Sequence, residues 1–227
     1  MAPILIPTRS ADDWKQFLAD ERHWRTGYSA RSLAQCWHAA AGLPPEIQAV
    51  LHSTPLFAQA ELLLAIPEHR VALPGSGRPS QTDLWLLLRT PAALASVAVE
   101  GKVAEPFGPT IGEWLGDGGE AANPNKSRRL KGLCELLGLA SAAPELRYQL
   151  LHRTASAVIE ARRFLAAHAV MLVHSFSQQD AWYDDFERFA RALDAEPAKG
   201  KLTVVPGRTG PTLHLGWVRG DAAHLSS

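Results

Sequence analysis

TDLWLLLRTPAALASVAVEGKV, residues 82–103, contains two apolar runs joined by a short connection at 90–95, opens on Asp83 and closes on Glu100-Gly101-Lys102. Runs of this length, rich in Leu and Val and broken by Thr-Pro, predict an antiparallel hairpin. Side chains alternate across a strand, so Ser96, Ala98, Glu100 and Lys102 share one face, and Val97, Val99, Gly101 and Val103 the other. The bulky face is expected to be the core, with open space beside Glu100 and Lys102 on the small-residue face. Asp83, Trp85 and Leu87 share a face of the first strand, and folding about the connection sets Asp83 opposite Lys102 with Glu100 one step inward. A slip by one side-chain repeat leaves all three charges at the same end.

Two carboxylates side by side repel, and a partly buried pair needs a positive charge between them. Mg2+ or Mn2+ takes oxygen ligands and keeps waters, so Asp83 and Glu100 suit its protein anchors. Lys102, on the same face, is placed to hold the attacking water and to offset charge growing on a phosphorus. The same three residues also suit a solvated ion-pair cluster, worth about 0–1 kcal/mol.

The rest of the chain supplies the frame. At 227 residues it has room for one α/β domain with a sizeable core. Lys plus Arg and Asp plus Glu number 23 each, so no overall positive field draws it to nucleic acid or a membrane, and such binding needs a local patch. Apolar residues nowhere run unbroken for the roughly 18 positions a bilayer span needs, and MAPILIPTRSADDW is not a leader pattern; a cytoplasmic, membrane-free protein is expected. Cys36 and Cys134 stand far apart without CxxC or CxxH company and read as buried thiols.

Residues 1–54 predict a helical extension: ADDWKQFL capped by Ser10, SARSLAQCWHAA stopped near Gly42, and PEIQAVLHS. PLFAQAELLLAI is expected to be a further helix and HRVALP a short strand, followed by the PGSGRPSQ loop. After the hairpin come a helix at PTIGEWL, a mobile loop at GDGGEAANPN, helices at KSRRLKGLCELLGL and RYQLLHRTASAVIEARRFLAAH, a buried strand AVMLVHSF, the amphipathic helix SQQDAWYDDFERFARAL, and strands KLTVVPG and TLHLGWV. The sum is α/β with a mixed sheet.

Asp at the start of one strand and Glu-x-Lys on the next, preceded by a helix and a strand and followed by a helix and a strand, resembles the PD-(D/E)XK nuclease superfamily across residues 55–176. The resemblance implies a restriction-endonuclease-like mixed sheet with an αβββαβ core flanked by helices, and a C-terminal helix and strands over 177–227. It rests on Asp83, Glu100 and Lys102; the acid that many members carry on the preceding helix falls on Glu61, and the proline before the Asp is replaced by Thr82. It implies a Mg2+- or Mn2+-dependent nuclease in which Asp83 and Glu100 hold the metal and nucleic acid, DNA before RNA, is the substrate. The whole chain is also similar to a family of bacterial proteins sharing IPTRS, HWRTGYSARSLA, LAIPEHRV and YQLLHRTASA.

Gln149 and Arg153 form an i, i+4 pair on the polar stripe of the long helix, where the nuclease relatives keep polar groups near the metal, and Arg153 suits a phosphate oxygen. Ser156 and Glu160 on that stripe are expected to be solvated, and the small apolar side of the helix to lie on the sheet. Lys126, Arg128, Arg129 and Lys131 form the densest positive patch and the expected nucleic-acid contact. Glu105 reads as a loop acid and His174 as a satisfied hydrogen-bonder. No GxSxG, phosphate loop or HExxH occurs. The competing function is a non-catalytic nucleic-acid- or protein-binding module on the same fold.

Overall fold

The structure, a computed structural model, describes residues 8–18 and 21–226. Ser10 opens a 3-10 helix over Ala11–Phe17, its N–H donating to the Asp13 carboxylate at 3.2 Å. Helix α1 spans Ser29–Ala40 and α2 Pro45–Leu51; α1 ends on Ala41 in the left-handed region. Strands β1 (Glu61–Val71), β2 (Ser80–Arg89) and β3 (Leu94–Lys102) follow. Then come α3 (Ile111–Leu115), α4 (Gly119–Ala122), α5 (Pro124–Leu137), α6 (Tyr148–Arg163), β4 (His168–Ser175), α7 (Tyr183–Ala192), β5 (Leu202–Val204) and β6 (Thr212–Arg219).

The six strands form one mixed sheet in the order β1-β2-β3-β4-β6-β5. β1, β2 and β3 are antiparallel neighbours, β4 is parallel to both β3 and β6, and β5 returns antiparallel to β6. The parallel joins require crossovers, which α3 to α6 and then α7 provide. Both faces are covered. Leu84, Leu86, Val97, Val99, Val170 and Leu172 pack against α1 and α2, while Ala98, Met171, Val173, Leu215 and Trp217 lie under α5, α6 and α7. That burial on both sides explains why LWLLL and AVMLV are apolar without alternation.

Four expectations need correction. ELLLAI is not helical: only Pro55–Phe57 forms a 3-10 turn, and β1 begins at Glu61. A bulge between Leu62 and Leu64 inserts one residue, so the buried pair Leu62 and Ala65 falls at helical spacing although the backbone is extended. Leu, Ala and Glu favour helix, but pairing along β2 outweighs that preference, and Pro67 is tolerated because β1 is the sheet edge. GDGGEAANPN, expected as loop, contains the helical turn α4. The hairpin register also differs: Leu84 faces Val99 and Trp85 faces Ala98, which sets Asp83 beside Glu100 instead of Lys102.

The fourth correction concerns α6. Its polar stripe is not solvated, because Arg153, Ser156 and Glu160 are all buried. They face a sheet surface that is itself polar: Arg153 meets Asp83 and Glu100, and Glu160 lies 3.5 Å from His69 on β1. Among the described residues no helix is long and apolar enough to cross a membrane. Leu172→Ala, in the doubly covered strand β4, is expected to cost about 2–5 kcal/mol, read as a lower urea midpoint with an unchanged denaturant slope.

Candidate active site at the end of the central hairpin

The ends of β2 and β3 open into a cavity of about 420 Å³ whose wall includes Glu68, Asp83, Glu100, Lys102, Gln149 and Arg153. Glu105, Pro106 and Gly108 on one side and Leu18, His23 and Tyr28 on the other form its rim, so the N-terminal region takes part in closing the site. Glu105 ties the two rims together, accepting from the Ser29 N–H at 2.9 Å and the Val103 N–H at 3.2 Å.

Arg153 is the centre of the cluster. Its Nε donates to Glu100 Oε2 at 2.5 Å, NH1 to Ser80 Oγ at 3.0 Å, and NH2 lies 3.4 Å from Asp83 Oδ1. Lys102 Nζ donates to the other Glu100 oxygen at 2.6 Å and stands 5.1 Å from the centroid of the Phe107 ring. The small-residue face is therefore not open space. Lys102 and Glu100 are under α6, 4% and 1% exposed, and the positive charge between Asp83 and Glu100 is the guanidinium.

The acids do not share this compensation equally. Burial opposes ionisation of Glu100, but Arg153 and Lys102 override it and hold its pKa down to about 2. Asp83 is pushed up to about 7 by burial and by Glu100, against the weaker pull of Arg153 and Lys102 and the Gly101 N–H donated at 2.9 Å. Glu68, unremarked in the sequence, is pushed up to about 8 by burial and by Asp83, although Gln81 Nε2 donates to it at 2.8 Å. Its backbone has φ 52°, the left-handed region that a residue with a Cβ adopts only when its surroundings hold it there. Glu68 lies across from Asp83, between the paired positions Pro67–Leu84 and His69–Thr82. Reading IPEHR as strand would have revealed it.

Glu61 is not in this site. It begins β1 at the opposite end of the hairpin, exposed and ion-paired with Arg89. Gln149 does reach the cavity, and its Oε1 is buried without a hydrogen-bond partner. His152 points elsewhere: its Nδ1 is 2.9 Å from Ser80 Oγ, and burial with Arg153 nearby keeps its pKa well below the usual value. Of the positive patch, Lys126 and Arg129 turn inward, whereas Arg128 and Lys131 are exposed, Lys131 lying 3.9 Å from Glu135.

A second group, Cys36, Glu46 and His174, lies at the far end of α1, with one ligand-type atom from each residue within 4.8 Å of the others. Its hydrogen bonding argues against a cation. The Trp37 indole donates to His174 Nδ1 at 3.3 Å, so the ring proton is on Nε2 and points to Glu46 at 3.1 Å. A metal-bound histidine has the reverse arrangement, a free Nε2 lone pair and an Nδ1–H given to an acceptor. Burial and Glu46 push the Cys36 thiol up, so it stays protonated and donates to Glu46 at 3.3 Å. His174 is the satisfied hydrogen-bonder expected.

Comparison with known proteins places the chain in one family: the profile of DUF6946, described as a domain of unknown function, matches residues 7–222, and the chain belongs to that family. No curated protein and no solved structure matches.

The raised acids have a consequence for stability. The folded protein holds protons on Asp83 and Glu68 up to about 7 and about 8, whereas ordinary carboxyls with values of 3.8 and 4.5 release them far earlier. Between those limits these two groups hold more protons in the folded state than in the unfolded, so their contribution to stability falls as pH rises from about 4 to 8 without divalent metal. The difference in melting temperature between wild type and Glu68→Gln, measured in EDTA, should grow across that interval in favour of the variant.

Proposed function

For a chain of this family we propose a metal-dependent phosphodiesterase of the PD-(D/E)XK type that acts on nucleic acid, DNA before RNA. The observation that carries this reading is the Glu68–Asp83 pair, two neighbouring acids for which the protein supplies too little positive charge. The donor set fits a hard cation: two carboxylates and the orphaned Gln149 Oε1, all oxygen, line one cavity. Asp83, Glu68 and Gln149 would hold Mg2+ or Mn2+, with Glu100 anchored beside them by Arg153 and Lys102. Such an ion supplies a bound water of lowered pKa and polarises a phosphoryl oxygen.

The chain's own residues do the rest. Lys102, fixed through Glu100 and backed by Phe107, presents a positive charge where negative charge grows during phosphoryl transfer. Arg153 has a planar donor set that suits a phosphate as well as the carboxylates it now bridges, so an incoming phosphate can take over one arm of the guanidinium. The meander β1-β2-β3, followed through α6 by β4 parallel to β3, supports a restriction-endonuclease-like core, with Glu68 on a strand in place of the helical acid assigned to Glu61. The cavity lies at the carboxyl end of β3, beside the start of β2.

One observation favours the non-catalytic module instead. Arg153 already spans Ser80, Asp83 and Glu100, which is what a charge-locked structural corner requires.

Metal separates the two. Mn2+ at a hundred times its dissociation constant is expected to stabilise wild type by about 2.7 kcal/mol, and Asp83→Asn to remove the rise in melting temperature. Lys102→Met should keep that rise while losing DNA cleavage by roughly 100-fold or more. Wild type that shows neither a rise nor cleavage belongs to the second reading.

A further inference from the structure

A second cavity, of about 430 Å³, lies behind the first, separated from it by Ser80, His152 and the Arg153 they flank. Its wall holds Arg78, Lys126 and Arg129 and no carboxylate. The bonds that Lys126 and Arg129 make leave their charge uncancelled. Lys126 Nζ donates to the Trp114 and Leu115 carbonyls at 2.5 and 3.4 Å, and Arg129 NH1 to the Arg78 carbonyl at 2.7 Å. Among the described residues none of the three cations has an ion-pair partner. The first turn of α5, which carries Asn125 and Lys126, adds the positive end of a helix.

Two further observations point to a ligand. Arg129 and Tyr148 are 7% and 8% exposed and stand close enough for the guanidinium to act on the phenol, yet Arg129 Nε and the Tyr148 hydroxyl are buried without a well-formed hydrogen bond, a costly state for polar groups that a bound acceptor relieves. Beside them Trp114 and Tyr148 stack with ring centroids 3.9 Å apart and planes 9° from parallel, and Lys126 Nζ lies 5.5 Å from the Trp114 centroid, so an aromatic wall adjoins the ammonium. Uncancelled cations, idle donors and an aromatic wall together match one ligand chemistry, a phosphate carrying a nucleobase and sugar.

We propose that this cavity is a nucleotide subsite in which Lys126 and Arg129 hold a phosphate and the Trp114–Tyr148 wall takes the base or sugar attached to it. The ligand class rests on the nuclease reading; the binding itself involves none of the acids of the first cavity. The ligand can arrive as a free mononucleotide or as part of a strand beyond the scissile phosphate.

The test is fluorescence anisotropy of a labelled single-stranded 12-mer DNA in EDTA across a salt series, with deoxyadenosine monophosphate as competitor. For wild type, log K should fall with log salt, and Lys126→Gln should make that slope shallower by about 0.7, the value for one lost phosphate contact on a single strand. Lys126→Arg should restore the slope, which separates charge from loss of the carbonyl cap. Trp114→Leu should weaken binding roughly tenfold with the slope kept. Competition by the mononucleotide assigns the subsite to a free nucleotide; strand binding without competition assigns it to a strand. Absence of binding by wild type, or a slope that ignores Lys126, overturns the subsite. Lys126-dependent binding by a protein that cuts nothing with Mn2+ overturns the nuclease reading alone, and cleavage with Lys126-independent binding overturns the subsite alone.

Discussion

Three carboxylates meet at one end of the central hairpin, and the fold there depends on how their charge is met. Arg153 reaches across from α6 to bond Glu100, Ser80 and Asp83, while Lys102 takes the remaining Glu100 oxygen. Removing one partner of such a buried set costs about 3–5 kcal/mol, because the others stay buried without compensation. Arg153 thereby ties α6 to β2 and β3 at the wall of the cavity. Two positive groups against three acids leave the corner one charge short, and the shortfall falls on Asp83 and Glu68.

Glu68 concentrates the cost. It combines a left-handed backbone, a partly buried carboxyl and a repelling neighbour in the middle of an edge strand, where a glycine would meet the backbone requirement without strain. A chain under selection for stability alone has no physical reason to keep that residue there. Strain and unmet charge gathered at a cavity mouth are what a binding or reacting site requires, and here both belong to the same side chain.

The two cavities are joined through one short relay. Arg153 donates to Ser80 Oγ, and the Ser80 hydroxyl is placed to donate to the neutral His152 ring, which lines the second cavity. The loop 73–80 is held over this junction by Arg129, which bonds the Arg78 carbonyl and packs against Gly77, whose φ of 115° and lack of a Cβ permit the close approach.

Local pattern alone was sufficient for α1, α2, α5 and α6, for the hairpin with its three charges at one end, and for β4 as a buried strand. The helices are decided by the period of their apolar residues and the strands by short unbroken apolar runs between turn residues, which are properties of neighbours in the chain. Tertiary structure decided the rest. Pairing along β2 made ELLLAI a strand, a single-residue bulge gave it a helix-like burial spacing, and the acid that lies across from Asp83 is Glu68 and not Glu61. The polar stripe of α6 turned inward because the sheet beneath it is polar, and Asp83 came to face Glu100 because the register was set by packing on both sheet faces. Which cation stands between two acids depends on side chains 53 and 70 residues away in sequence, and neither composition nor periodicity carries that distance.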